Sequence, residues 1–183
     1  MLKARETNRE KAMFFTIRLL GQADKSAFFN LQDVIEDVLP QSQMYVSADR
    51  LFYDICISKG AVIGVFEKNR LVAVGCCVNS DDISSHLEQQ ISCYRRYPED
   101  ITYEYHHIMV HPDYRGSGLQ VRIMRELEQI CRDRHVRFMV ATVSPLNIYS
   151  RRNIERCGFV HDSDLVYHNY DRELYVKRLE AVL

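Results

Sequence analysis

Apolar residues recur along the chain with two different periods, and the switches between them predict the order of elements. MFFTIRLL, residues 13–20, is a short β-rich run. From Asp24 onward Phe28, Leu31, Ile35 and Leu39 fall on one face of a helix that Pro40 helps to end. AVIGVFEKNRLVAVGCCV sets two β-rich runs around Lys68-Asn69-Arg70, a hairpin pattern. DITYEYHHIMV, residues 100–110, is the next strand, after which Leu119, Ile123, Leu127, Ile130 and Cys131 return at helical spacing. VRFMVATV, residues 136–143, follows at once, so strand, turn, helix and strand make a βαβ unit with two parallel strands and a right-handed crossover. NIYSRRNIERC reads as a second helix with Asn147 as N-cap and Gly158 just past its end, and residues 159–170 and 173–179 close the chain as strands. The expected fold is α/β: a central mixed sheet, antiparallel early and parallel in the middle, flanked by helices.

With 183 residues, 46% hydrophobic and 27% charged, the chain suits one sizeable core. It shows no repeat and no Gly/Ser-rich linker, so we expect a single domain over residues 13–183 behind a polar leader, residues 1–12. A formal charge of -1 argues against a nucleic-acid partner. The leader lacks the apolar stretch of a secretory signal, and no run reaches the roughly 18 apolar residues of a membrane span, so no membrane partner and a cytoplasmic location are expected. Six cysteines contain no CxxC pair, and adjacent Cys76 and Cys77 point to opposite strand faces. They read as reduced apolar side chains, with neither disulfide nor metal.

The densest chemical signal is VHPDYRGSGLQ, residues 110–120, where a strand passes through two glycines into a helix. A helix start exposes unpaired amides at the positive end of its dipole, and glycines let an anion approach them. Gly116 and Gly118 fit such a cradle, with the amides of residues 117–120 as its floor and Arg115 as a guanidinium for bidentate contact. The plainer alternative is a tight turn beside a solvated arginine. A nucleotide P-loop fits less well, because no Lys-Ser/Thr pair follows the second glycine.

VHPDYRGSGLQ resembles motif A of the GNAT superfamily of N-acetyltransferases: Arg or Gln, two variable residues, Gly, one variable residue, then Gly or Ala. Arg115 and Gly118 match it, and Gln120 departs from it at the last position. NIYSRRNIERCGF is similar to the family's second cofactor-side segment, and the order of elements matches over residues 13–178. The resemblance implies a partly splayed sheet and acetyl-CoA (coenzyme A) as co-substrate, with no metal. It places the pyrophosphate on Arg115, Gly116, Ser117, Gly118, Leu119 and Gln120. The pantetheine would run along Ile108, Met109 and Val110, pairing with the backbone of Ile108 and Val110 as an added strand does, near Asn147 and Ser150. A helix cap is the alternative role for Asn147.

A primary amine is mostly protonated near neutrality, so transfer to it needs a base. The resemblance puts Glu104 in that place, acting directly or through a water, with His106 as the alternative base. As neighbours on a strand, His106 and His107 are expected to face opposite ways. The family's usual general-acid tyrosine falls at Ile154, which leaves Tyr149 as the nearest tyrosine on the same helix. The acceptor walls are expected from residues 79–100, with a helix near 83–94 and charges at Asp81, Asp82, Glu88, Arg95 and Arg96, and from residues 40–60. Tyr45, Phe52 and Tyr53 of the latter are candidate core. The acceptor is a small-molecule or peptide amine. The alternative function is a CoA-binding regulatory or interaction module without transfer. Oligomeric state leaves no mark in the sequence, although a homodimer is common in the family.

Overall fold

The computed structural model describes residues 14–39, 44–87, 102–167 and 169–179. Seven strands form one sheet: β1 (Phe15–Leu19), β2 (Ala61–Glu67), β3 (Arg70–Asn79), β4 (Thr102–Val110), β5 (Phe138–Val143), β6 (Val160–Tyr167) and β7 (Tyr170–Arg178). Their order is β1-β2-β3-β4-β5-β7-β6. The β4–β5 pair is parallel, as the βαβ pattern predicts, and every other pair is antiparallel. The Lys68-Asn69 connection joins β2 to β3, with Lys68 in the left-handed region at φ 55°.

Helix α1 (Lys25–Asp37) and helix α2 (Arg50–Lys59) pack on one face of the sheet, and α4 (Leu119–Asp133) and α5 (Ile148–Arg156) on the other. Helix α3 (Ser80–Leu87) begins directly after β3, earlier than the expected 83–94, and residues 88–101 lie outside the described residues. Residues 40–60 carry no single clean period, yet they contain α2. Asp49 caps it by accepting from the Phe52 amide at 2.7 Å. Its fully buried face is Tyr53 and Cys56, while Phe52 and Ile55 turn toward a cavity described below. A helix with apolar residues on two faces loses the stripe that would betray it.

Period-2 alternation divides the core. Cys76 joins the α1/α2 side with Val62, Val74 and Met109, and Cys77 joins the α4/α5 side. The five described cysteines are buried and unbridged. On α4, Leu119, Ile123, Met124, Leu127 and Cys131 are all buried. Gly75 lets that helix settle onto β3, because a Cβ there would stand 2.6 Å from Ile123 Cγ2. Leu127→Ala should cost about 2–5 kcal/mol, the range for emptying a buried leucine site, read as a lower urea midpoint with unchanged slope.

Two irregularities open the sheet. β4 pairs with β5 only from Thr102 to Tyr105, so its second half is bonded to β3 alone. Opposite that half, the register slips between Val74 and Cys76, so that Gly75 faces both His107 and Ile108. The bulge holds His107 at φ 46°, a conformation that costs a β-carbon residue about 1–2 kcal/mol. It also overturns the expected alternation of the two histidines. Their rings stack at 5.8 Å, and both touch Phe52, because the left-handed residue turns His107 to the side of His106.

Candidate functional site

A cavity of about 550 Å³ lies where β4 and β5 part. One side is β4 from Glu104 to Ile108, facing the end of β5 at Thr142, Val143 and Ser144. Gln120 and Met124 of α4, and Ser150 and Ile154 of α5, close the rear. Phe52 and Ile55 of α2, Tyr45 and Ile83 of α3 form the front.

Strand alternation decides what reaches it. Tyr103 and Tyr105 point into the α4/α5 core, so Glu104 between them points to the opposite face, where it is 2% exposed. His106 Nε2 stands 3.1 Å from Glu104 Oε2, in a geometry that does not align as a hydrogen bond. Tyr45 Oη lies 3.2 Å from His107 Nδ1 and donates to Gln32 Oε1 at 2.9 Å. That same Gln32 oxygen accepts from the Ala48 amide at 2.8 Å, so a buried glutamine on α1 pins the cavity's front wall.

Burial pushes the His107 pKa down to about 3, the neighbouring His106 adds to this, and the Val46 backbone partly offsets it. His107 is therefore neutral at physiological pH. An unfolded chain takes up a proton near pH 6.5 that the folded chain refuses until about pH 3, so folding stability falls as pH drops through that window. His107→Gln should flatten that acid dependence, measured as urea midpoints at pH 4.5 and pH 7 for both proteins.

At the glycine turn, Gly116 and Gly118 take φ 80° and 76°, and nothing lies within 4 Å of where either Cβ would stand. The helical bonding of α4 starts with the Arg122 amide donating to Gly118 O at 3.1 Å, so the amides of residues 119–121 have no carbonyl within the helix. These features fit an anion. Arg115, Gly116, Ser117 and Gly118 are exposed around them. Ile108, Gln120, Asn147 and Ser150 line the cavity, whereas the side chains of Met109 and Leu119 are core and Val110 packs against the core. The His111 amide donates to Val72 O at 2.8 Å, so by alternation the amide of Val110 turns away from β3 toward the splayed side. That is the direction an added extended ligand needs.

Gln120, the departure from the motif, is held by α5: its Nε2 donates to Ser150 Oγ at 3.0 Å and its Oε1 accepts from Asn153 Nδ2 at 2.8 Å. Asn147 caps α5 by accepting from the Ser150 amide at 3.1 Å, and it also lines the cavity. Ile154 is 4% exposed within the cavity wall. Tyr149 is 74% exposed and does not line the cavity, so the geometry does not bring it to the site. Asn147 opens α5, and a residue two places on falls on its outer side.

Of the expected acceptor segment, Ile83 reaches the cavity. Asp82 pairs with Lys59 at 2.8 Å and Asp81 is exposed, while Glu88, Arg95, Arg96 and Tyr97 lie outside the described residues. Sequence reading missed Gln32 and Arg172. Arg172 sits on β7 and lines the cavity at 5% exposure, and no local motif marks it. Among the described residues no group of three metal-ligating side chains occurs, and no helix is long and apolar enough to cross a membrane.

The fold matches the Escherichia coli ribosomal-protein-S18-alanine N-acetyltransferase, at 13% identity and TM-score 0.68, over 93% of this chain and 97% of that one. It matches agmatine N-acetyltransferase at 14% identity and TM-score 0.69, over 91% and 100%. A third match is the Salmonella typhimurium acetyltransferase yncA, solved with its cofactor acetyl-CoA, at 18% identity and TM-score 0.66, over 91% and 94%. A comparison with curated protein sequences finds no match. The sequence model described as the acetyltransferase (GNAT) family matches residues 28–159, a span that runs from α1 through the bulged strand and the glycine turn to the end of α5. A splayed β4–β5 pair beside an open helix start is thus found on a chain that belongs to the GNAT acetyltransferase family.

Proposed function

We propose that this chain, as a single domain over residues 13–183, moves an acetyl group from acetyl-CoA to a primary amine by direct transfer in a ternary complex. The observation that carries the reading is the continuity of one cavity. It runs from the unpaired edge of β4 to the buried carboxylate of Glu104. Acetyl-CoA, when bound, supplies the activated thioester.

The amides of residues 119–121 and Arg115 hold the pyrophosphate charge, and the backbone of Ile108 and Val110 orients the extended arm. Glu104 takes the ammonium proton, directly or through a water, and His106 at 3.1 Å shares or relays it. Much of the acceleration comes from holding amine and thioester together between rigid strands. Ile154 offers no proton where the family has tyrosine, and a thiol with an ordinary pKa near 8.5 leaves as thiolate without one. The buried, unbridged cysteines suit a reducing compartment, and on that ground we place the protein in the cytoplasm.

The test is calorimetric titration with acetyl-CoA, with ATP as control, followed by thiol release across a panel of amines. Saturable acetyl-CoA binding, absent for ATP, with acceptor-dependent thiol release is the expected result. Acetyl-CoA binding with no release against any amine would make the chain a CoA-binding module, the reading that Ile154 favours. No acetyl-CoA binding by the folded protein would remove both.

A further inference from the structure

We infer that the acceptor carries its one ammonium on an apolar body and that Phe52 of α2 selects for that body, an inference that rests on the transfer reading above. Phe52 stands on the approach to the base. Its ring meets the His106 ring edge-on at 4.9 Å and the His107 ring at 4.8 Å, and His106 Nε2 lies 3.1 Å from Glu104 Oε2. An amine that brings its nitrogen to Glu104 therefore lays its carbon chain against Phe52.

The wall around Phe52 is apolar for the same reason that α2 escapes detection in the sequence. Tyr53 and Cys56 form the fully buried face of that helix. Phe52 and Ile55, three residues apart and so on one side, pack only at the margin of that core and stay half-buried. Both line the cavity, together with Ile83 of α3. This second apolar stripe opens onto the space an acceptor must cross, so a methylene or ring that leaves water there gains free energy.

The charges of the lining favour a single ammonium. Among the described lining residues the carboxylates are Glu104, 2% exposed, and Asp49, which is engaged as the α2 cap through the Phe52 amide at 2.7 Å. Arg172 of β7 lines the same cavity and repels further positive charge. Burial holds His107 neutral beside Phe52, which marks this part of the cavity as unfavourable for an added cation. A second ammonium there gives up its hydration without a buried carboxylate to receive it.

The experiment reads kcat/KM from thiol release at saturating acetyl-CoA for three sets of acceptors. The first is the n-alkylamines from ethylamine to hexylamine, and the second is the α,ω-diamines of four to six carbons. The third runs from glycinamide through alaninamide and leucinamide to phenylalaninamide. We expect kcat/KM to rise about three- to fourfold per methylene along the alkylamines, the scale of burying one CH₂. Each diamine should fall at least about tenfold below the monoamine of equal length, the scale of one charged group left without its partner. A parallel rise along the amides identifies the amine of an amino acid or peptide as the source, and a rise confined to the alkylamines identifies a free small amine. Phe52→Ala should flatten the rise, and Phe52→Leu should retain most of it.

Turnover that does not grow with apolar size in either series overturns the inference and leaves the transfer reading in place. So does equal turnover of diamines and monoamines, or a rise that persists undiminished in a folded Phe52→Ala protein. Acetyl-CoA binding without turnover of any amine overturns both together. The series measured on the natural protein need no variant, so a misfolded substitution does not protect the inference.

Discussion

Glu104→Gln is expected to lower kcat about 10²–10⁴-fold, the contribution of a positioned general base, with little change in the affinity for acetyl-CoA. The amide keeps the shape of the carboxylate in a site that is 2% exposed, so packing is preserved while the capacity to take a proton is removed. Replacing a buried charge by a neutral isostere should leave the melting temperature equal or higher, which separates lost chemistry from lost folding. Glu104→Asp, shorter by one methylene, should fall between the two because it retains the base but moves it from His106. A fall in kcat smaller than about threefold for Glu104→Gln would transfer the base role to His106 or to water alone.

Gly118→Val should weaken acetyl-CoA binding by about 10- to 100-fold, as expected when one or two charged backbone contacts are lost. Two causes act together. Gly118 sits at φ 76°, where a β-branched residue costs about 1–2 kcal/mol, so the turn relaxes and the amides of residues 119–121 lose their common direction. The new side chain also projects into space that is open, which is where an anion must come to reach those amides. Calorimetric titration reads the loss directly. Arg115→Ala provides the contrast. Arg115 is exposed, so its smaller effect should shrink further as salt is raised, whereas the Gly118→Val effect should persist. Unchanged affinity in Gly118→Val would remove the glycine turn from the binding site.

The glycine turn was legible because its chemistry is local: a left-handed glycine and a helix start lie within six residues and are written as consecutive letters. Glu104 was legible only through the family resemblance, since nothing in YEYHH distinguishes it from a solvated strand residue. The histidine pair was misread. Period 2 holds for regular strands, and the bulge opposite Gly75 adds a residue to one strand, a feature that depends on how β3 and β4 meet. Arg172 was not legible at all. Its meaning arises because β7 inserts beside β5, which brings residue 172 to the cavity that starts at residue 104.

What was settled along the chain is the order of the strands and of helices α1, α4 and α5, the βαβ unit, the hairpin at Lys68-Asn69, the α4 core stripe and the anion-ready turn, while α2 was not. Each depends on side-chain period or on backbone freedom within a few neighbours. What was settled only in three dimensions is the parting of β4 from β5, the shared orientation of His106 and His107, the clip of Gln120 onto α5, and the placing of Glu104 and Arg172 in one cavity lining. These depend on strand register and sheet order, which are fixed by packing between segments far apart in sequence, and no local pattern encodes such distances.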